Sequence, residues 1–325
     1  MVSRTRLLPG WFSHSRLKIR HLQLLAALHR QKRLHLAADG LGISQPAASR
    51  LLVELEDGLG QPLFSRQGRT LEPTPFGEIL TRRALAILSE LDGARDEMNA
   101  LGDGHLGRVA VGAVDGPMVE LLAGIAARAL EDHPRLEIAL HGGSSTTLLD
   151  GLLGGHLDMV LGRPVPPFDP KLLSYAERGR EDFALVARAG HPLQAQLSRH
   201  KRRFGLAELR EARWVLQPRG SILRDTVDAM FLAAGTAPPD RMLSTDSFAA
   251  TLSLLRETDA VSVLSEPLAR QQAEYGQLTI LPLDPAPSAG PYGLILPVGR
   301  SPSPAARTVL ALLDAAVPPP GRTGP

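Results

Sequence analysis

The sequence predicts an α/β protein in two unequal parts, a small helical head with a two-stranded wing and a larger body, joined by one long helix. Three observations carry this. Residues 17–60 contain three short stretches with apolar residues at helical spacing, punctuated by turn residues. Residues 75–102 keep an apolar stripe in steps of three and four. From residue 108 onward, apolar runs and helical stretches alternate, which is the rhythm of a parallel sheet covered by helices.

At 325 residues the chain exceeds one ordinary core, and 43% hydrophobic residues suffice for globular folding. No run approaches the roughly 18 apolar residues of a membrane span, so no membrane partner is expected. The opening "MVSRTRLLPGWFSHSRLK" has no long apolar stretch before a small-residue cleavage site, and a cytoplasmic protein is expected. With no cysteine there is neither a disulfide framework nor a thiolate site. The formal charge of +2 conceals an asymmetry: residues 1–70 hold eleven of the 36 Lys/Arg but only four of the 34 Asp/Glu. A basic head on an acidic body implies a polyanionic partner for the head alone, although a solvated charged face would leave the same trace.

In the head, apolar residues at Leu17, Leu22, Leu24, Leu25 and Leu28 make a one-faced first helix. A second runs from about Leu34 to Leu41, with Ala37 and Ala38 small enough for a close, steep crossing. Gly42 suits a turn needing positive φ. Ser44 is a good N-cap and Pro46 falls in the first turn, where its missing N–H costs nothing. The third helix buries Ala47, Leu51, Leu52 and Leu55, leaving Gln45, Ser49 and Arg50 outward near its start. Such a pair can lay its second helix in a major groove, Gln pairing with adenine, Arg with guanine, and Ser with base or phosphate. An ordinary capped αα-hairpin has the same spacing. "GLGQPLFSRQGRTLEPTPFGE" then reads as strand Pro62–Ser65, a turn at Gln67-Gly68 and strand Arg69–Glu72, with Arg66 and Arg69 placed for phosphates. Thr74 caps the next helix, with Pro75 at its first position.

These residues resemble the winged helix–turn–helix of LysR-type transcriptional regulators. The ordered matches are Ala37, Ala38, Leu41, Ile43, Ser44–Ala47, Ser49, Leu55-Glu56, Gly60, Leu63-Phe64, Arg66, Thr74 and Gly77. The resemblance implies double-stranded DNA with an interrupted inverted repeat as partner, contacted through Ser44, Gln45, Pro46, Ser49, Arg50, Arg66 and Arg69. Gly40 weakens helix two, and Pro75-Phe76 stands where small residues are usual. Residues 1–16 form a basic arm without a counterpart, preceding a head over 17–74.

The helix over 75–102 carries Leu80, Ala84, Ile87, Leu91, Ala94, Met98 and Leu101 as an a/d seam. Such a stripe packs either on its own domain or on a second copy. The resemblance implies the latter, with a homodimer or homotetramer as the assembly. Gly102-x-Gly104-x-x-Gly107 matches a dinucleotide fingerprint in the wrong context, after a helix and before a strand, and residues 103–107 read as a hinge.

In the body, Val109–Val114 is a strand, Pro117–Leu130 a helix, Leu136–His141 a strand, Ser145–Gly154 a helix, and "HLDMVLGR" leads into a third strand. "EDFALVAR", "RWVLQPRG", "SILRDTVDAMFLAAG", "RMLSTDSFAATLSLLRE" and "AVSVLSEPLARQQ" repeat the rhythm, and "YGLILPV" and "SPAARTVLALLDAAV" close it. Two α/β lobes joined by crossing strands, about 108–175 with 285–317 and about 176–284, are similar to periplasmic binding proteins of type II; residues 318–325 are a frayed tail. Ligands of open α/β sheets sit at strand carboxyl ends. Those ends carry Asp115, Pro117, Ser144, Ser145, Thr146, Arg163, Gln217, Gly220, Ser221 and Ser265, suited to a small carboxylate or sugar-like effector.

The ten histidines show no HExxH spacing, and neither G-x-S-x-G nor a placed P-loop occurs, so no enzyme, metal or cofactor is expected. A solute-binding protein without a regulatory role would fit the body but neither the basic winged head nor the missing export signal. The expectation is an effector-responsive regulator, with RNA polymerase as a further partner.

Overall fold

The structure is a computed structural model that describes residues 17–68, 70–103, 107–166, 168–200 and 203–317. The N-terminal arm, Arg69, residues 104–106 of the hinge and the C-terminal tail lie outside these residues. The chain divides into two compact units, the head with its long helix and residues Gly151–His156, and the rest of the body.

The head comprises α1 (Ile19–Gln31), α2 (Leu34–Gly40), α3 (Gln45–Leu59), β1 (Phe64–Gln67), β2 (Thr70–Pro73) and α4 (Pro75–Asp103). Ala37 and Ala38 of α2 are fully buried against α1 and α3, and their small size permits the close crossing the sequence required. Gly42 takes φ +64°, and Ser44 Oγ accepts from the Ala47 N–H at 3.4 Å, fixing where α3 begins. On α3 Leu52 and Leu55 are buried as expected, together with Ala48 and Leu59, while Ala47 and Leu51 are only half-buried. The first wing strand lies two residues and the second one residue later than expected, pairing Phe64 with Pro73 and Gln67 with Thr70. Pro62 and Leu63 are unavailable to that ladder because side chains of α3 and Thr74 already hold their backbone groups.

The body contains β3 (Gly107–Ala113), then α5, which runs as a turn at Asp115–Pro117, a π-helical stretch Met118–Leu122 and α-helix Ala123–Asp132. It continues with β4 (Leu136–Gly142), α6 (Ser145–Leu153), β5 (Met159–Gly162), β6 (Leu173–Arg188), α7 (Pro192–His200), β7 (Phe204–Gly205) and α8 (Leu206–Leu209). There follow β8 (Arg213–Leu216), α9 (Ile222–Ala233), β9 (Met242–Ser244), α10 (Phe248–Glu257), β10 (Ala260–Ser265), α11 (Glu266–Glu274) and β11 (Leu278–Leu281). The last elements are β12 (Leu283–Asp284), β13 (Ser288–Pro297) and α12 (Pro304–Ala316). One nine-stranded sheet runs β4-β3-β5-β13-β6-β10-β8-β9, with β11 also on β6. Its outer strands are parallel (β4-β3-β5 and β10-β8-β9), as short αβ alternations dictate, whereas β13 and β6 run antiparallel to their neighbours.

β6 serves both lobes. Leu173–Asp182 pairs with β13, and Phe183–Arg188 pairs with β10 and β11. The sequence reading recognised only its second half, because "SYAERGR" is polar and lacks the apolar run that marks a buried strand. The helix expected from Pro117 begins at Asp115. Lobe I packs Val109, Val111, Leu122, Ile125, Met159, Leu161, Val309 and Leu313 into one core. In lobe II alternate residues of β6 and β10 feed opposite faces. Leu185, Val261 and Val263 join Trp214 and Phe231 on one face, and Ala184, Val186 and Leu264 join Leu255 on the other. The Trp214 and Phe231 rings meet edge-on, 5.6 Å apart at 76°.

Candidate functional site

Gln45, Pro46, Arg50 and Val53 are exposed along one face of α3, with Ser49 half-buried between them. Ser49, Arg50 and Val53 fall within about 100° of one another around a 3.6-residue helix, and Gln45 and Pro46 stand in its first turn. Ser44 is also exposed, but its hydroxyl is occupied by the cap. Arg66 stands exposed on β1, while Arg69 lies outside the described residues. The sequence-predicted reading residues are therefore gathered at the start of one helix, with a basic wing alongside it.

Glu56 and Gly77, which sequence reasoning matched but gave no role, and Thr74, expected as the cap of the next helix, hold this arrangement together. Glu56 Oε1 accepts from the N–H groups of Leu63 (2.7 Å) and Phe64 (3.1 Å), tying the wing to the back of α3. Thr74 Oγ1 donates to the Pro62 carbonyl at 2.7 Å and accepts from the Gly77 N–H at 3.2 Å. Gly77 faces the Leu63 carbonyl, where an added Cβ would lie 1.9 Å from the oxygen. The Leu71 N–H donates to the Lys32 carbonyl at 2.8 Å, pinning β2 to the end of α1. His21 is buried beneath α3; its Nδ1 accepts from the Lys18 N–H, so the ring is held as a neutral acceptor. Burial lowers its pKa, opposed by Glu54, whose carboxylate lies 3.6 Å from Nε2.

The seam on α4 divides. Leu80 and Ala84 are buried with Leu22, Leu25, Leu59 and Leu63 inside the head, so they are covered within their own chain. Ile87, Leu91, Ala94 and Met98 are exposed, the last at 66%. The Leu101 side chain lies outside the described residues.

In the body, Asp115, Pro117, Ser145, Arg163 and Ser265 converge where β6 and β13 cross between the lobes. α11, which begins immediately after Ser265, packs on the Asp115–Pro117 turn and the π-helical stretch behind it. Arg163 is largely engaged within its own chain. Its Nη2 is paired with buried Glu181, its Nε donates to the Ala289 carbonyl at 3.2 Å, and its N–H donates to Ser145 Oγ at 3.1 Å. Glu181 gave no signal in the sequence, where it reads as a charge opening a strand. Desolvation raises the pKa of the Asp115 carboxyl, and Glu181 raises it further. Ser144 caps α6, accepting from the Thr147 N–H at 3.2 Å, and Thr146 is exposed on its first turn. Ser221 caps α9 in the same way, through the Arg224 N–H. Half-buried Gln217 and exposed Gly220 precede it, beyond the C-terminal end of β8.

Among the described residues no group of His, Asp and Glu could hold a metal ion, and no helix is long and apolar enough to cross a membrane.

Residues 19–78 match the bacterial regulatory helix-turn-helix protein model of the lysR family, and residues 102–318 match the LysR substrate binding domain. The chain is 41% identical over 307 residues to the HTH-type transcriptional regulator GbpR of Azospirillum brasilense, covering 94% of this chain and 89% of that one. It is 31% identical to PcaQ of Agrobacterium fabrum over 89% of this chain and 91% of the relative. A full-length OxyR variant from Pseudomonas aeruginosa superposes with a TM-score of 0.60 at 21% identity, covering 96% of this chain and all of that one. CbnR, a LysR family transcriptional regulator, gives 0.59 at 22% identity, covering 92% and 99%. These likenesses show the same succession of winged head, long helix and two-lobed body. With its head and its body each matched by their own domain of one family, the chain belongs to the LysR family of bacterial transcriptional regulators: a DNA-binding protein with an effector-binding domain, and not an enzyme.

Proposed function

We propose that the chain acts in the cytoplasm as a homo-oligomer, a dimer or tetramer, that reads an interrupted inverted repeat through paired α3 helices. The observation that carries the reading is the exposed face of Gln45, Ser49 and Arg50 beside the basic wing. Exposed Ile87, Leu91 and Met98 on α4 support pairing, since apolar side chains in register on a solvated helix gain by burial against a copy. CbnR has been solved with its target DNA, which agrees with this use of the head. Once ligand changes the lobes, an altered assembly would change contact with RNA polymerase.

Replacing Gln45 or Arg50 by Ala should relax sequence choice, each base contact being worth about 1–3 kcal/mol, whereas Arg66→Ala should weaken all duplexes evenly. Titration of operator-length duplex should saturate at two or four chains. Equal losses on every sequence from all three variants, or saturation at one chain, would remove the reading.

The effector we assign is a small carboxylate or a sugar-like metabolite. With Arg163 engaged by Glu181, the support is the α6 and α9 N-termini, whose N–H groups favour anions, together with the Thr146 hydroxyl. The absence of cysteine excludes thiol oxidation as the signal. A thermal-shift screen of small acids and sugars should find a stabilising ligand, and Thr146→Val should abolish that shift while sparing DNA affinity. A full shift in the variant moves the site elsewhere.

A further inference from the structure

Arg163 and Glu181 are both almost sealed from solvent, and neither belongs to the apolar cores of the lobes. Their place in the topology is specific. Glu181 lies at the last rungs of the β6 segment paired with β13, two residues before the change of partners at Phe183. Ala289 lies on the returning strand, at the break in register between Ser288 and Gly290, where it has no partner across the ladder. Arg163 follows β5 in lobe I, and its guanidinium touches both: Nη2 meets Glu181, and Nε meets the Ala289 carbonyl. The second Glu181 oxygen accepts from the Gly116 N–H at 2.8 Å, tying the end of β3 to the same point. One side chain of lobe I therefore grips the outgoing and the returning strand where each leaves that lobe.

A buried ion pair is a poor way to gain net stability, because desolvation offsets the attraction. Its property is geometric: it satisfies both charges in one arrangement and leaves both uncompensated in others. Lobe II can turn relative to lobe I only through the two crossings, so a turn that moves Glu181 or Ala289 strains this grip. Two polar atoms close to the crossing have no partner although buried, Arg163 Nη1 and the hydroxyl of Ser265, which pairs with Phe183 across β10 and β6.

We propose that Arg163 and Glu181 form a hinge clasp, a positioning pair that holds both crossing strands against lobe I and sets the balance between lobe arrangements before any effector binds. It rests on the reading of the body as a two-state effector domain and not on the effector's chemistry.

The test uses the full chain without ligand and follows amide hydrogen exchange at residues 181–183 and 288–290 against β3 and β4. Glu181→Gln should speed exchange at both crossings by about tenfold or more while β3 and β4 keep their rates, as a local opening does. Arg163→Lys, which keeps the charge but cannot span both strands, should speed the 288–290 side more than the 181–183 side. Sodium formate should slow the crossings again in Glu181→Ala by refilling the carboxylate position. Unchanged crossings in Arg163→Lys and Glu181→Gln, or acceleration spread evenly through lobe I with a fallen melting temperature, would reduce the pair to ordinary core support. Loss of operator binding by the unaltered chain would instead overturn the regulator reading and leave the exchange result standing.

Discussion

Gly77→Ala is expected to weaken DNA binding strongly by disrupting the head. The added methyl carbon would sit 1.9 Å from the Leu63 carbonyl oxygen and 2.9 Å from its carbon. The obstacle is backbone, and that backbone is fixed on its other side by Glu56 and Thr74. Overpacking typically costs about 1–3 kcal/mol where side chains can shift, and here they cannot, so a cost above about 3 kcal/mol follows. That is a large fraction of the roughly 5–15 kcal/mol that holds a domain folded. Operator affinity should fall by about a hundredfold or more, with an early thermal transition assigned to the head. Gly93→Ala is the matched control on the same helix: nothing lies within 4 Å of its added carbon, and a gain of about 0.5–1 kcal/mol is expected. A Gly77→Ala protein that melts with the wild type would show that the α4–wing junction is not as tight as described.

Glu56→Ala should detach the wing without erasing sequence preference. One carboxylate oxygen serves two N–H groups, those of buried Leu63 and of Phe64, and hydrogen bonds to a charged acceptor contribute about 1.5–3 kcal/mol each. Partial replacement by water leaves a net cost of about 3 kcal/mol, felt as a displaced β1 carrying Arg66 away from the phosphate proposed for it. Affinity should drop about tenfold to a hundredfold on every duplex, while the ranking of sequences, which the proposed reading assigns to Gln45 and Arg50, is retained. Glu56→Gln keeps an acceptor and should recover most of the loss. A ranking altered by Glu56→Ala would mean that the wing reads bases.

The head was legible because its instructions are local. The Ser44 cap, Gly42 in its positive-φ turn and the paired alanines act within a few residues of themselves. The wing strands escaped by two residues and by one because their anchors reach across the chain, Glu56 from α3 and Thr74 from the start of α4. The same distinction explains the body. Strand ends and helix caps at Ser144 and Ser221 could be read in place. Arg163 looked like a ligand for a carboxylate until its partner, 18 residues further on, proved to be a carboxylate of the protein itself. The first half of β6 was missed because the strand that carries the chain between lobes is polar, and its membership in the sheet is decided by β13, more than a hundred residues away.

Asp182 and Ser288 are partners on adjacent strands, and between them lies the whole of lobe II. The chain thus enters and leaves that lobe through a single rung of the ladder. Topologically lobe II is one excursion from a hairpin, bounded by two junctions a strand's width apart. A cassette with its ends so close can be exchanged between relatives, enlarged or reshaped while lobe I keeps its own strand order. Diversification of what such a domain senses is thereby open on one side of the crossing and constrained on the other.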